Sequence, residues 1–343
     1  ERRDMKAIVF DEHGSLDVLR YRDIEAPTLQ KGEVRVAVRA CSLNYHDVFT
    51  RQGMPGIKVP LPGIPGCDCA GQVSEVAGDV TDWNVGDRVL VDPVFWDLES
   101  GKMWMIGDTW WGAYAEYVVV KASQLIQLPE SVSFEDAACL PVAYGTAHRM
   151  MLTRGEIKQG DSILILGASG GVGTSALLLA KMKGAYVIAA AGSDEKCRQL
   201  KELGADETIN YSTKNFVKHC RASTGSLFAG GGYDVVVNFT GGDTWAESLR
   251  CVKLGGKLLT CGATAGFNPQ TDLRFIWTAE MDIRGSNGWK RDDLDRLLQL
   301  TESREFIPVI DSRVPLEDGI EAHKAMEERR FFGKIVITSN AVA

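Results

Sequence analysis

The segment Gly167-Ala168-Ser169-Gly170-Gly171-Val172-Gly173 constrains this chain more than any other. A short apolar run, Ser162 to Leu166, precedes it. A stretch of helical character, about Gly173 to Lys183, follows it. Strand, glycine turn and helix in that order within a βαβ unit form the context that a dinucleotide fingerprint requires. Gly170 lets the backbone approach a pyrophosphate, and Gly173 lets the helix lie close to the strand. The helix start supplies unpaired N–H groups and partial positive charge to the phosphates. Ala168, Ser169, Gly170, Gly171, Val172 and Gly173 are therefore the first cofactor-binding candidates.

Strands and helices keep alternating after this point. Tyr186 to Ala191, Val235 to Phe239, Lys257 to Cys261 and Met281 to Arg284 read as strands, and Asp194 to Leu203 as a helix. That order predicts a parallel sheet with right-handed crossovers. The first third differs. Lys6 to Phe10, Gly71 to Ala77, Val85 to Val91 and Ala113 to Val120 read as short strands between Gly and Pro turns. Val34, Val36, Val38 and Ala40 alternate with polar neighbours, the period of a half-buried strand. Ser133, with Glu135 and Asp136 behind it, marks a helix start, and the apolar stretch to about Met151 is expected to be one helix. Helices around Asp292 to Leu300 and Leu316 to Glu328 precede a last strand, Lys334 to Thr338.

A chain of 343 residues is long enough for two domains. With 45% hydrophobic residues it can bury a core. A net charge of -8 argues against nucleic acid or an anionic membrane as the main partner. No stretch is long and apolar enough for a transmembrane helix. The eight cysteines include no CxxC pair and do not space like a secreted disulfide framework, so a cytoplasmic setting is expected.

The end of the second strand of a Rossmann unit selects the cofactor. An acid there binds a ribose 2′-hydroxyl and repels a 2′-phosphate. Here the strand runs out as Ala189-Ala190-Ala191-Gly192-Ser193, without an acid. Ser193 can donate a hydrogen bond and Lys196 follows three residues on. This favours NADPH over NADH. Asp194 and Glu195 argue the other way unless they face solvent.

Lys31-Gly32-Glu33-Val34, Gly86-Asp87-Arg88-Val89, Gly112-Ala113-Tyr114-Ala115-Glu116-Tyr117, Gly160-Asp161, the glycine segment and Gly333-Lys334-Ile335-Val336 occur in an order that resembles the medium-chain dehydrogenase/reductase superfamily. The likeness spans nearly the whole chain. It implies an α/β protein: a GroES-like β-rich catalytic domain (1–130 and 290–343) and a doubly wound Rossmann domain (131–289), with the active site in the cleft between them. It also implies a homodimer or homotetramer and a small-molecule substrate. In the NADPH-using branch a lysine and a tyrosine hold the 2′-phosphate, matching Lys196 and Tyr211. Cys261-Gly262-Ala263 and Gly285-Ser286 match the backbone that holds the nicotinamide amide, and Lys334 of the closing motif joins the cofactor set.

The superfamily contains zinc alcohol dehydrogenases and zinc-free reductases. The stretch Asp92 to Trp111, where the family's structural zinc would lie, has no cysteine and instead carries Trp96, Trp104, Trp110 and Trp111. These form a lid, a pocket wall or a local apolar cluster. Positions matching the catalytic zinc ligands are Asn44, Cys67 with Asp68, and Val142. Asparagine and valine do not suit zinc. In contrast, Asn44-Tyr45-His46-Asp47 through Arg51 and Gly53 resembles the first loop of the zinc-free quinone oxidoreductase branch.

Without a metal to polarise a carbonyl, hydride transfer is easiest to a conjugated acceptor: an enone, an enoyl thioester or a quinone. Asn44, Tyr45, His46 and Asp47 are the catalytic candidates. Asn44, Tyr45 and His46 can stabilise the developing oxyanion, and Tyr45 or His46 can supply a proton. Two other readings compete. One is an alcohol dehydrogenase with a non-standard zinc site on His46, Cys67 and Asp68. The other is a crystallin-like NADPH-binding protein with little turnover.

Overall fold

The computed structural model describes residues 4–343. It divides into two units, one formed by the chain up to Val142 together with Leu294–Ala343, the other by Ala143–Asp293. No helix among the described residues is long and apolar enough to cross a membrane.

The first unit is mostly β. Its strands are β1 (Asp4–Phe10), β2 (Leu19–Glu25), β3 (Glu33–Ser42), β4 (Asp68–Val76), β5 (Arg88–Val91), β6 (Val94–Asp97), β7 (Lys102–Met105), β8 (Tyr117–Lys121) and β9 (Leu125–Gln127). The chain end adds β16 (Ile310–Pro315) and β17 (Lys334–Thr338). A seven-stranded sheet runs β16-β17-β3-β4-β5-β9, with β8 also paired to β3. β1 with β2 and β6 with β7 form separate antiparallel pairs. Helices α1 (Tyr45–Gln52), α2 (Phe134–Ala138) and, near the end, α10 (Gly319–Glu327) pack on this frame.

β3 is the centre of the sheet, and it departs from the half-buried strand that its alternation predicts. Both of its faces are covered. Glu33 and Arg35, charged residues that made it look amphipathic, are buried against ionic partners. Glu33 accepts from Lys121 Nζ at 2.8 Å, and Arg35 pairs with Glu75 and donates to Pro27 O. Ionic partners let these side chains leave water. The core beneath includes Ile8, Phe10, Val36, Val73, Tyr114 and Ile337.

The second unit is a six-stranded parallel sheet of order β12-β11-β10-β13-β14-β15. The strands are β10 (Ser162–Ile165), β11 (Tyr186–Ala191), β12 (Glu207–Asn210), β13 (Tyr233–Val237), β14 (Val252–Thr260) and β15 (Asp282–Gly285). Between them run α4 (Gly171–Met182), α5 (Asp194–Glu202), α6 (Phe216–Thr224), α7 (Asp243–Ser248) and α8 (Leu273–Thr278). β10 and β13 are buried almost throughout, as a parallel sheet covered on both faces requires. The strand order reverses between β10 and β13. In open α/β sheets, ligands bind at the carboxyl ends of the strands flanking such a reversal. The glycine segment lies at that end of β10.

The helix expected to run to Met151 is not one helix. After α2 the chain makes wide turns over Leu140–Gly145, one regular turn, α3 (Thr146–His148), and wide turns again to Arg154. Pro141 lies in the first wide stretch. It has no N–H to donate and its ring crowds the carbonyl four residues back. The boundary between the units falls inside this run. α9 (Arg291–Glu302) contains the second boundary.

Candidate active site

In the second unit the geometry starts at Gly170. It caps α4 with extended backbone, and a Cβ built there would meet nothing within 4 Å. The opening amides of a helix have no intrahelical acceptor, so the turn presents donors over an open approach. Gly173 differs. A Cβ there would lie 2.4 Å from Gly167 O and 2.5 Å from Ala168 Cα. Ala168 is buried and donates to Ala190 O at 3.0 Å, which ties the turn to β11. Ser169, Gly171 and Val172 stay half-buried along the same turn.

At the end of β11, Ser193 caps α5 by accepting from Lys196 N at 3.2 Å. Its hydroxyl hydrogen is still available for donation. Tyr211 follows β12 and is 45% exposed, with its hydroxyl 3.3 Å from where a Gly192 Cβ would sit. Ser193, Lys196 and Tyr211 therefore share one edge. The two first-turn acids are engaged with protein groups. Asp194 accepts from Asn210 Nδ2 at 2.8 Å, and Glu195 pairs with Arg198.

The last two strands of this unit bring the candidates of Cys261-Gly262-Ala263 and Gly285-Ser286 together. Ser286 N donates to Thr260 O at 2.9 Å, joining Gly285-Ser286 to Cys261-Gly262-Ala263. The Ser286 hydroxyl is buried and has no partner among the described residues. A buried hydroxyl in that state is suited to an amide or phosphate from a ligand. Burial pushes the Cys261 thiol up to about 12, so it is not a nucleophile at neutral pH.

In the first unit, the segment read as a loop from Asn44 is helix α1. Asn44 precedes it and Gly53 ends it with φ +92. The Asp47 carboxylate accepts from Asn44 N at 2.9 Å and Gly66 N at 3.2 Å, and from the Tyr114 hydroxyl at 3.2 Å. The Cys67 thiol is a fourth donor at 3.5 Å. Asp47 is fully buried, and burial raises its pKa although the Asn44 amide counteracts this.

Lys334 belongs to this unit. Its ammonium is buried and donates to Asn44 Oδ1 at 2.6 Å and Leu43 O at 2.5 Å. Asn44 Nδ2 in turn donates to Asp68 Oδ2 at 2.8 Å. Ser42 Oγ and Val142 N also donate to Asp68. Burial lifts Asp68 to about 6, against the pull of Lys334 and Asn44. The Tyr45 hydroxyl donates to Met326 O at 2.9 Å. His46 is the half-exposed member of the group, and its Nε2 lies 3.0 Å from Asp108 Oδ2.

Comparison with known proteins fits this geometry. Residues 30–130 match the alcohol dehydrogenase GroES-like domain family, and residues 171–303 match the zinc-binding dehydrogenase family. A quinone oxidoreductase of Pseudomonas aeruginosa is 32% identical over 97% of this chain and 99% of its own. An NADPH-dependent alkenal/one oxidoreductase, chloroplastic, of Arabidopsis thaliana is 33% identical, over 98% of this chain and 80% of its own. Among solved structures, an NAD-dependent alcohol dehydrogenase superposes with a TM-score of 0.89 at 34% identity, covering 97% of this chain and 99% of the other. The chain belongs to the medium-chain dehydrogenase/reductase superfamily. As a member it is an NAD(P)H-dependent oxidoreductase with a GroES-like domain and a Rossmann sheet.

In this medium-chain dehydrogenase/reductase the three candidate zinc donors are each engaged with protein groups. Catalytic zinc takes three protein ligands of thiolate, imidazole or carboxylate type. His46 bonds to Asp108, Cys67 to Asp47, and Asp68 to Asn44, Ser42 and Val142. Burial drives the Cys67 thiol well above its ordinary value. Among the described residues no group of three or more His, Cys, Asp or Glu could hold a metal ion.

Part of the tryptophan set clusters, while Trp96 is exposed and Trp111 Nε1 donates to Pro62 O at 2.7 Å. Trp104 and Trp110 meet edge to face at 6.0 Å, and with Phe95, Met105, Ile106 and Val120 they line a cavity of about 220 Å³. Sequence reasoning missed Asp108, Tyr114 and His323. Tyr114 links Asp47 to His323, at 3.2 Å on each side. Only the Gly-Ala-Tyr motif around Tyr114 carried any signal.

Proposed function

We propose that this chain is an NADPH-dependent, metal-independent reductase of activated carbon–carbon double bonds or quinones. The observation that carries the reading is the closed set of bonds around α1. Asn44, Asp47, Asp68 and Lys334 satisfy one another, which leaves His46 as the accessible titratable group. The bound cofactor supplies the hydride. Reduction of a conjugated acceptor puts negative charge on an oxygen, and one well-aimed donor there is worth about a hundred- to a thousandfold in rate. His46 provides such a donor and a proton. Asn44 and Asp47 hold α1 in place, and Tyr45, committed to Met326, shapes the wall. The quinone and alkenal/one oxidoreductases named above support this acceptor class.

NADPH is supported by the acid-free end of β11 and by the engagement of Asp194 and Glu195 elsewhere. Lys196 and Tyr211 would hold the 2′-phosphate, and Ser286 the nicotinamide amide. Charge-assisted bonds of this kind are worth about 1.5–3 kcal/mol. Lys196→Glu should therefore weaken NADPH by roughly 10- to 100-fold in a fluorescence titration. NADH should change less than about threefold. Equal losses for both cofactors would remove Lys196 from the phosphate site.

A second copy of the chain is the natural cover for apolar surface exposed in the Rossmann unit: Ile283 on the edge strand β15, and Leu273 and Trp277 on α8. We infer a homodimer or homotetramer on that ground. A cytoplasmic setting suits eight cysteines that are all free.

The test is NADPH consumption against enones, alkenals, quinones and enoyl thioesters, with plain ketones as controls, before and after chelator treatment. The expected result is reduction of one conjugated class at least about a hundredfold faster than any ketone, unchanged by the chelator. Turnover confined to ketones or alcohols and abolished by chelation would mean a metal-dependent alcohol dehydrogenase. No turnover on any acceptor would mean a cofactor-binding protein of another role.

A further inference from the structure

We infer that Asp108 is the positioning residue of this site: its buried carboxylate fixes the His46 ring and leaves Nδ1 as the atom that hands over the proton. The inference rests on the reductase reading for the proton's destination, but the pairing itself does not depend on it.

The geometry is specific. His46 stands in the first turn of α1 with 26% of its side chain exposed, whereas Asp108 is 3% exposed. Asp108 Oδ2 accepts from His46 Nε2 at 3.0 Å. Its other oxygen is buried and has no partner among the described residues. An unpaired buried carboxylate oxygen costs folding free energy, and such a group in a native structure calls for a role. The turn that carries it is tightly held. Asp108 N donates to Met105 O, Trp110 N to Met105 O, and Met105 N to Thr109 Oγ1. Gly107, with φ +74, lies so close to Gly66 and Cys67 that a Cβ would sit 2.6 Å from Gly66 C. The turn cannot drift from α1 without breaking that contact.

With Nε2–H given to Asp108, the neutral ring exposes a bare Nδ1 and the imidazolium exposes Nδ1–H. During reduction the Nδ1–H bond breaks and its electron pair stays on nitrogen. The enolate's π pair forms the new C–H bond, or an oxygen lone pair takes the proton in a quinol. Neutral His46 then regains a proton from water. Three acids face the ring: Asp47 on its own helix, Asp68 at the start of β4, and Asp108. Burial lowers the imidazole's proton affinity, but the Asp108 bond and the combined field of the three acids more than offset it, so the pKa is raised above its ordinary 6.5. His46 therefore keeps its proton to higher pH than a free histidine.

The experiment uses nitrogen-15 histidine labelling of the whole chain, with His46→Gln to assign the signal. In the wild type, His46 should titrate above 6.5, and its neutral form should carry the proton on Nε2. In Asp108→Asn, which keeps the shape, and in Asp108→Ala, the titration should move down, because the bond and charge that raise it are lost. The same variants are assayed across pH on the best conjugated acceptor. The expected result is a 10- to 100-fold fall in kcat at pH 7.5. The alkaline limb should move to lower pH, and NADPH affinity should stay within about threefold. An unchanged His46 titration in both variants overturns the inference, as does an unchanged pH profile. Wild-type protein that titrates as expected but reduces no acceptor sinks the reductase reading and leaves the Asp108–His46 pairing standing.

Discussion

Replacing Lys334 with methionine should destabilise the first unit by about 3–5 kcal/mol, the range found when one partner of a buried charged network is removed. Methionine matches the length of the side chain but donates nothing. Leu43 O and Asn44 Oδ1 would each lose a bond of 2.5–2.6 Å in a region closed to water. Asn44 would then hold Asp68 without the cation that now draws on both. For a unit of this size, about 2–4 °C of Tm accompanies each kcal/mol, so a fall on the order of 10 °C is expected by calorimetry. The effect should also depend on pH. The Asp68 carboxyl has its folded pKa raised to about 6, above the ordinary carboxylate value of 3.8. Its folded state therefore binds the extra proton, and stability falls as pH rises from the unfolded value through the folded one. Losing Lys334 raises the folded pKa further and extends that loss above pH 6. The gap between variant and wild type should be widest near pH 8 and narrower at pH 5. A Tm within about 3 °C of wild type at pH 8 would show that the ammonium does not hold this cluster together.

Lys334 also shows where reading a sequence stops. A lysine opening the apolar run Lys-Ile-Val-Ile-Thr was visible, and β17 occupies the expected Lys334–Thr338. Which groups the ammonium meets was not, because Asn44 lies far away in the chain. The Rossmann half was easier. Its elements form from local periodicity, and Tyr186–Ala191 is found as read. α1 was legible in principle, with Asp47 three residues after Asn44 and Gly53 as a stop, yet Val48 and Thr50 weaken the helical signal. β3 misled because an alternating pattern does not reveal whether the polar side chains will be buried against ionic partners. Asp108 had no local signature at all. It gains meaning only when the β6–β7 hairpin and Gly107 carry it to His46. The cofactor candidates, several of them implied by the family resemblance, lie largely at strand ends, which is where parallel sheets collect function. The polar cluster depends on contacts between distant segments, which periodicity does not encode.

Changing Gly170 to aspartate should abolish cofactor binding while leaving the fold intact, and changing Gly173 to valine should damage both. The two positions lie three residues apart in one turn and face opposite constraints. At Gly170 the backbone is extended, a Cβ meets nothing within 4 Å, and the residue caps α4. Aspartate is a better helix cap than glycine, so Tm should hold or rise slightly. Its carboxylate would stand where the diphosphate must come, on the donors the diphosphate needs. The loss of two or more charge-assisted bonds corresponds to a Kd increase of at least about a hundredfold, readable by fluorescence titration of NADPH. At Gly173 a Cβ would collide with Gly167 O at 2.4 Å and with Ala168 backbone at 2.5 and 2.6 Å. Backbone on a buried turn cannot yield as a side chain tip can, so overpacking of about 1–3 kcal/mol is expected, and the turn that aims the amides would shift with it. Affinity and Tm should then fall together. Gly170→Asp binding NADPH as tightly as wild type would mean that the phosphates do not dock on this turn, and the assignment of the whole strand-end set to a dinucleotide would fall with it.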